Sequence, residues 1–320
     1  MRESSRGFVG GNVFVKQFRP GGDHNFGYLV ADDITKKAVA FDPSYAPGVI
    51  VSFARKHGYQ IKYIFDTHGH LDHTKMPWYE ASFGCEYLNL YAHRDVAEAR
   101  ANIRALTKLL PLSKDEPLLD LCCGAGRHLL ALHELGFHRL VGLDLSAELL
   151  AVAAESLAGM EGITLVRADM RQLPFVGCFT TVLSLFTSFG YFDEDEENRA
   201  VLAAVCQALR QRGVFVLDYL NRDYVVSHLV PSDERELSGR RVRNIRRLTD
   251  DGRRVEKVTT VVTEAGDRRQ FFESVRLYSL AEMQEMLHSE GFANISAYGS
   301  LAGQEFGPGS ERLILVAEKG

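Results

Sequence analysis

Hydrophobic residues are spaced with two different periods along the second half of the chain. From about residue 117, short apolar runs typical of buried strands lie between segments in which apolar residues recur every three or four positions. The apolar runs end near Asp120, Asp144, Val166, Leu185 and Tyr219. Strands that alternate with helices predict an α/β fold, in which helices cover both faces of a largely parallel sheet.

The first part of the chain shows another pattern, in which short strand-like runs are separated by turn residues. We expect a helix over Pro47–Lys56, because Pro47 is tolerated in a first turn and Gly58 follows the last one. The expected strands of this part cover residues 13–15, 26–30, 38–41 and 61–65.

The alternation of strands and helices stops at about residues 232–277, where polar and apolar residues alternate with a period of two. Turns containing Asp-Gly and Gly-Asp join these runs, which predicts an antiparallel β insert. The elements expected from here on are strands over 242–248, 255–263 and 270–278, a helix over Leu280–Ser289 capped by Ser279, and a closing antiparallel strand pair over 295–298 and 312–318.

Charge and composition narrow the class of protein. The chain has 320 residues and a net charge of −5, so nothing draws it as a whole to nucleic acid or to an anionic membrane. We find no apolar run near the ~20 residues of a membrane span and no signal core. The five cysteines show no disulfide or zinc spacing, which favours a reduced, cytoplasmic protein.

The insert is rich in arginine, and two interpretations stay open. The arginines form a solvated face, which the interleaved acids favour, or they face an acidic substrate or RNA. They are Arg240, Arg241, Arg243, Arg246, Arg247, Arg253 and Arg254.

Candidate chemistry concentrates in Pro-Leu-Leu-Asp-Leu-Cys-Cys-Gly-Ala-Gly-Arg-His, residues 117–128. Gly124 and Gly126 allow a sharp turn and leave room for a ligand, and the following helix points its positive end at that ligand. Asp144 follows about 20 residues later, the spacing of an acid that binds ribose hydroxyls. Leu129 replaces the third glycine of a dinucleotide motif, whereas Asp120 suits a ligand with an ammonium group.

This loop resembles motif I of class I S-adenosylmethionine-dependent methyltransferases, Asp/Glu-x-Gly-x-Gly-x-Gly. Cys122 stands where the first glycine usually is, and a small thiol fits there if the backbone does not need a positive φ. The resemblance implies that S-adenosylmethionine is the cofactor and that residues 76–320 form a seven-stranded, Rossmann-like methyltransferase domain.

The resemblance also assigns roles further along the chain. Asp169 would bind the exocyclic amine of adenine and Met170 its ring, while Tyr87 and Tyr91 belong to a helix that covers the cofactor or packs on the core. The complete set of residues assigned to the cofactor is Tyr87, Tyr91, Asp120, Cys122, Gly124, Gly126, Asp144, Leu145, Asp169, Met170, Leu185 and Phe186.

The reaction that follows is methyl transfer to a nucleophile on a small molecule, in which the protein aligns donor and acceptor and excludes water. The chain lacks the Asn/Asp-Pro-Pro-Tyr run of enzymes that methylate nucleic-acid bases, so we do not expect nucleic acid as a partner. No catalytic residue is assigned. Candidates are His93, Tyr191 and Tyr219, and Asn221, Arg222 and Tyr224 either reach the substrate or are ordinary loop residues.

A second motif lies at the end of an earlier strand, Asp66-Thr67-His68-Gly69-His70-Leu71-Asp72-His73. Imidazole and carboxylate groups at this spacing are typical ligands of zinc or iron. The segment resembles the metallo-β-lactamase fold of hydroxyacylglutathione hydrolases. That resemblance makes His68, His70, Asp72 and His73 an incomplete metal site, because the later ligands of the family are absent.

We therefore expect residues 1–75 to be a partial metallo-β-lactamase-like segment that packs or assembles without catalysis. Alternatives are a metal site completed by another copy of the chain, which implies a homo-oligomer, and a metal-dependent thioester hydrolase. A protein that binds the cofactor without turnover is a further alternative to the methyltransferase.

Overall fold

The chain divides between Trp78 and Tyr79 into two units, Met1–Trp78 and Tyr79–Gly320. The computed structural model describes residues 9–10, 13–18, 27–41, 47–65, 77–91 and 96–320. The domain boundary expected after residue 75 stays a prediction.

The first unit contains a sheet of five described strands with one helix between the last two. Neighbouring strands are antiparallel except the last pair, which is parallel because the helix carries the chain back across the sheet. Leu29, Ala38 and Ile50 are buried between helix and sheet. The elements are β1 (Val9–Gly10), β2 (Val13–Phe18), β3 (Gly27–Asp32), β4 (Lys37–Phe41), α1 (Pro47–Lys56) and β5 (Gln60–Phe65), in sheet order β1-β2-β3-β4-β5.

These elements confirm the expected helix and strands of the first part. The metallo-β-lactamase resemblance of this segment is not shown and stays a prediction. The motif that carries it, from His68 to His73, lies outside the described residues.

The second unit begins with short helices and continues into strands that alternate with helices. The elements are α2 (Trp78–Ser82), α3 (Cys85–Leu90), α4 (Val96–Leu109), β6 (Leu118–Leu121), α5 (Arg127–Glu134), β7 (Leu140–Asp144), α6 (Ala147–Ser156), β8 (Ile163–Arg167), β9 (Phe179–Ser184), α7 (Asp195–Ala208), β10 (Leu209–Leu220), α8 (Arg222–His228), β11 (Ser232–Leu237), β12 (Arg240–Leu248), β13 (Arg254–Val262), β14 (Arg268–Arg276), α9 (Leu280–Ser289), β15 (Phe292–Tyr298) and β16 (Arg312–Lys319).

The main sheet is mixed and has seven strands in the order β15-β16-β10-β9-β6-β7-β8. Strands β6 to β10 are parallel, and β16 runs antiparallel between β10 and β15. The strand order reverses between β6 and β9. In open α/β sheets such a reversal leaves a crevice at the carboxyl ends of the strands, where ligands bind.

Buried side chains cover both faces of this sheet. Leu119 and Leu121 pack in one cluster with side chains of α7 and α9, whereas Leu118 packs in another with side chains of α4 and α5. Successive strand residues point to opposite faces, so β6 contributes to both cores. The end of β6, which bears Asp120, is thereby fixed from two sides.

Strands β11 to β14 form the predicted antiparallel insert, in that order. The sequence predicted three of its strands and missed β11, because the segment Ser-Asp-Glu-Arg-Glu-Leu has almost no apolar residues. Ser279 caps α9 as expected, in a capping box with Glu282. The closing antiparallel pair, β15 and β16, is also confirmed.

Candidate functional site

A tight turn joins β6 to α5 and requires glycine. Gly126 has a φ of 79°, and a β-carbon there would lie 2.9 Å from Leu157 Cδ1. Gly124 also has a positive φ, of 54°. The turn therefore brings backbone N–H groups and the start of α5 to the crevice, which suits a polar or anionic part of a ligand.

Cys122 also has a left-handed backbone, with a φ of 62°. We expected a thiol to fit here if the backbone did not need a positive φ, and this condition is not met. A residue with a β-carbon disfavours the left-handed conformation. Its Sγ lies 3.6 Å from Met170 Sδ, so the side chain packs between the turn and the residue after β8. Cys122 therefore adopts a left-handed backbone conformation that favours glycine.

Asp144 fixes the turn from the end of β7. Its buried carboxylate accepts the Gly124 N–H at 2.8 Å and the Ser146 N–H at 2.9 Å. Burial raises the pKa of Asp144, and these backbone hydrogen bonds oppose the rise. Two backbone donors leave carboxylate lone pairs for further donors such as ribose hydroxyls.

Asp120 is the most unusual group in this region. It is 1% exposed, and its Oδ2 has no hydrogen-bond partner in the part of the chain that the structure describes. Burial raises the pKa of Asp120 to about 7, although the Arg127 guanidinium opposes the rise. A buried carboxyl without a partner is costly, and a ligand ammonium group would remove that cost. The site therefore fits the amino-acid end of S-adenosylmethionine.

The residues after β8 form a second polar cluster at the same edge of the sheet. Asp169 pairs with Arg171 at 2.5 Å, and Arg171 also contacts Glu197 at 2.6 Å. Met170 is 8% exposed. Sequence analysis did not single out Arg171, which orients the Asp169 carboxylate.

The structure places Leu145 directly after β7, where its carbonyl accepts the Arg167 Nε–H at 3.0 Å. Leu185 is buried immediately after β9, and Phe186 follows it at the mouth of the crevice. Both positions lie at carboxyl ends of parallel strands, as the cofactor assignment requires, and their roles stay predictions.

A cavity of about 700 Å³ opens at this end of the sheet, within the range of small-molecule pockets. Phe186, Thr187 and Leu220, which follow the ends of β9 and β10, form its floor. The Phe186 ring lies 4.1 Å from the Arg127 guanidinium, at the start of α5. The cavity therefore adjoins the glycine turn.

The floor has an unusual backbone that a buried ion pair holds in place. Phe186 and Thr187 have φ of 65° and 60°. Asp218 accepts the Phe186 N–H at 3.0 Å, and Arg312 binds Asp218 and donates to the Thr187 hydroxyl at 2.8 Å. Strands β10 and β16 thus fix the turn after β9.

Aromatic side chains form one wall of the cavity. Tyr87 and Tyr91 lie with ring centroids 4.6 Å apart, Phe83 stacks on Tyr191, and all four line the cavity. The Tyr91 hydroxyl donates to Glu273 of the insert at 2.7 Å. The two tyrosines are therefore wall residues of the cavity, and their contact with the cofactor stays a prediction.

The insert forms the roof with polar side chains, of which sequence analysis named only Arg246, as one of the arginines that form a solvated face or face an acidic substrate. The polar side chains occupy every second position of its strands and therefore lie on one face of the sheet. The period of two in the sequence could have identified them as a group. They are Asp233, Arg235, Asn244, Arg246, Lys257, Thr259 and Glu273.

His128 was also missed. It is 4% exposed, its Nε2 has no partner among the described residues, and burial lowers its pKa to about 3. The imidazole is therefore neutral, and it stacks on Phe186 with centroids 5.8 Å apart. The sequence feature that could have identified His128 is its position as a polar residue in the first helical turn after the glycines.

The candidate catalytic residues differ in whether they reach the cavity. Tyr219 is buried, its hydroxyl donates to the Arg276 carbonyl, and burial raises its pKa well above the usual range, so it is a packing residue. Tyr191 lines the cavity, whereas His93 lies outside the described residues.

The three residues expected at the mouth also differ from one another. Asn221 caps α8 and binds backbone carbonyls at 307–310, and Arg222 lies 3.5 Å from Glu282. Tyr224 lines the cavity. Only Tyr224 of these three is placed to meet a substrate.

No cluster of three or more metal-ligating side chains occurs within residues 9–10, 13–18, 27–41, 47–65, 77–91 and 96–320. The proposed ligands His68, His70, Asp72 and His73 fall in the gap between 65 and 77, so the zinc or iron site stays a prediction. Among the described helices, none is both long and apolar enough to span a membrane.

Comparisons with known proteins agree with this geometry. Residues 118–213 match the family described as "Methyltransferase domain". A glycine/sarcosine N-methyltransferase from Halorhodospira halochloris is 30% identical over 207 residues, which cover 63% of this chain and 75% of that protein.

Two solved structures share the fold. A methyltransferase from Clostridium acetobutylicum ATCC 824 has a TM-score of 0.63 at 19% identity and covers 73% of this chain and 95% of its own. An amino pentose methyltransferase from Micromonospora echinaspora with S-adenosylmethionine bound has a TM-score of 0.53 at 26% identity, over 73% of this chain and 97% of its own. The chain belongs to the class I S-adenosylmethionine-dependent methyltransferases.

Proposed function

We propose that this enzyme methylates an amino group of a small molecule. The relatives described above are named for glycine and sarcosine N-methylation and for methylation of an amino pentose. The cavity beside the glycine turn has the size for an acceptor of this kind.

The observation that supports the cofactor part of the proposal is the buried Oδ2 of Asp120 at the glycine turn, which has no hydrogen-bond partner among the described residues. We assign Asp120 to the cofactor ammonium group, Asp144 to the ribose hydroxyls, and Asp169 with Met170 to adenine. When bound, the cofactor supplies a methyl group activated by a positively charged sulfur.

The protein's own contribution is to place the acceptor and exclude water. The floor residues and the aromatic wall enclose the acceptor next to the turn, and Asp218 with Arg312 keeps the floor rigid. Alignment of donor and acceptor accounts for a large part of the rate of such displacements. A neutral amine attacks without a protein base, so the proposal needs no catalytic residue.

The test is a calorimetric titration with S-adenosylhomocysteine at pH 8 and pH 6, on the wild type and Asp120→Asn. Because only the ionised Asp120 pairs with the ligand ammonium and its pKa is about 7, wild-type affinity should fall about tenfold from pH 8 to pH 6. Asp120→Asn should bind at least about tenfold more weakly at pH 8 and lose this pH dependence.

Asp115→Asn is the matched control, because the Asp115 side chain is 86% exposed and its loss should change neither value. Folded wild-type protein that does not bind the ligand would contradict the proposal. An Asp120→Asn variant with wild-type affinity and pH profile would contradict the assignment of Asp120. Release of S-adenosylhomocysteine in the presence of glycine, sarcosine or amino sugars then identifies the acceptor.

A further inference from the structure

We propose that the acceptor carries an anionic group, a carboxylate or a phosphate, and that this group binds between Arg246 and Lys257 on the roof of the cavity. The inference rests on the proposed function, because it specifies the substrate of the same site. It concerns the recognition of the acceptor and is independent of how the cofactor binds.

The register of the insert brings two cations face to face. Arg246 of β12 and Lys257 of β13 are directly opposite partners in an antiparallel pair, and both line the cavity. Like charges at opposite positions destabilise a sheet. An anion that binds both cations would offset this repulsion.

Carboxylates flank this pair on the outer strands. Asp233 of β11 binds Arg246, and Glu273 of β14 binds Lys257 at 2.8 Å. Across the four strands the charges follow the order negative, positive, positive, negative. All four charged side chains line the cavity, and the two cations lie at the centre of the row.

A further cation makes the roof positive overall. Arg235 also lines the cavity and donates to the Leu90 carbonyl at 2.6 Å. Arg235 also helps to lower the pKa of Asp233, a carboxyl group that already pairs with Arg246. The roof thus contains three cations and two carboxylates, whereas Arg312 on the floor is paired with the buried Asp218. One anionic group on the ligand would balance this charge.

The polar row is built into the sheet and is not a solvated face. Asn244 is 5% exposed and donates to Asp233 at 2.8 Å, and Thr259 is 4% exposed and donates to Asn244 at 2.8 Å. Buried neutral groups therefore fix Asp233, which in turn orients Arg246. Such preorganisation favours recognition, because little side-chain freedom is lost on binding.

The opposite face of the same strand offers a control. Arg241 points away from Arg246 in the alternation of β12, and its side chain is 74% exposed. Arg246→Gln and Lys257→Gln each remove one cation of the pair, whereas Arg241→Gln removes an equal charge outside the cavity.

The experiment measures the unfolding temperature with increasing acetate, phosphate or pyrophosphate against chloride at constant ionic strength. A specific site gives a saturable rise, unlike general salt effects, which grow without saturation. We expect saturable stabilisation of the wild type and of Arg241→Gln, and at least tenfold weaker apparent affinity in Arg246→Gln and Lys257→Gln. Saturation with acetate indicates a carboxylate acceptor, and saturation with phosphate or pyrophosphate alone indicates a phosphorylated one.

A turnover measurement extends the test with matched amines. Glycine against glycinamide and glucosamine 6-phosphate against glucosamine differ by the anionic group. The anionic member of one pair should have a kcat/KM at least tenfold higher, and Arg246→Gln should remove this preference through KM.

Two results would overturn the inference: no saturable stabilisation by any of the anions, or equal stabilisation in wild type and Arg246→Gln. Both are read without turnover and without cofactor. They are therefore distinct from a failure of S-adenosylhomocysteine binding, which contradicts the proposed function.

Discussion

Cys122 shows how a single residue departs from the motif around it. A β-carbon at a φ of 62° is strained by about 1–2 kcal/mol, a cost that glycine avoids. The Cys122 thiol packs against Met170, which offsets part of this cost through buried contacts. The turn therefore keeps its conformation because its neighbours determine it.

We predict that Cys122→Gly is more stable than Cys122→Ala by roughly 1 kcal/mol. Both substitutions remove the thiol, but only alanine keeps a β-carbon in the left-handed region, while glycine adds some freedom to the unfolded chain. Chemical denaturation of the two variants gives the difference in the free energy of unfolding. An alanine variant as stable as the glycine variant would show that the backbone is not strained here.

Sequence patterns located the acids of the site because each follows an apolar run. Asp120 lies in β6, Asp144 ends β7 and Asp169 follows β8, so strand ends alone bring them to one edge. The patterns could not show that Asp120 Oδ2 lacks a partner among the described residues or that Cys122 has a positive φ. Both properties depend on neighbours that are distant in sequence.

At the scale of elements, Arg254 joins the insert to the turn after β9. Its guanidinium donates to the carbonyls of Gly190, Tyr191 and Phe192, and to that of Ser274. The Arg254 side chain is only 14% exposed. Two of the four carbonyls have one further donor each, which is the Arg276 N–H for Gly190 and the Asn198 side chain for Phe192. One arginine thus donates to four backbone carbonyls at this junction.

We predict that Arg254→Met lowers the free energy of unfolding by about 2 kcal/mol, because it removes one donor from each of four backbone carbonyls at this junction. Arg241→Met is the control and should cost less than about 1 kcal/mol, since exposed ion pairs contribute little. Denaturant unfolding of both variants tests this. Equal losses in the two would mean that the carbonyls find other donors.

The insert also shows what the alternation of polar and apolar residues can and cannot predict. Its period of two predicted antiparallel strands, and the structure confirms them. The expected solvated arginine face is correct for Arg241 and Arg247, which are largely exposed, and wrong for Arg246 and Arg254. Alternation separates the two faces of a sheet, but only tertiary packing decides which face is covered.

At the scale of the whole molecule, sequence periodicity predicted the class of the main sheet and its closing strand pair. Local rules account for only part of the strand order: β6, β7 and β8 are consecutive neighbours, whereas β9 crosses to the other side of β6. The cavity was not predictable, since its roof, wall and floor come from segments far apart in the chain. Leu90, Leu220 and Val275, for example, all line it.

Each unit also has buried clusters formed from its own residues. Leu29 and Ile50 belong to the cluster of Met1–Trp78, whereas Ile103 and Leu119 belong to clusters of Tyr79–Gly320. Burial of apolar side chains is the main stabilising term in folding, at about 1.5–3 kcal/mol for each large side chain. A unit with its own core is expected to fold by itself.

We therefore predict that a chain of residues 76–320, which starts at the natural Met76, folds and binds S-adenosylhomocysteine within about twofold of the full chain. All residues that we assign to cofactor and acceptor lie within it, beginning with Tyr87. Cooperative thermal unfolding tests the fold, and calorimetric titration of both chains tests the site. A truncated chain that folds but binds much more weakly would show that the first unit contributes to the site, and a chain that does not fold would show that the second unit depends on the first.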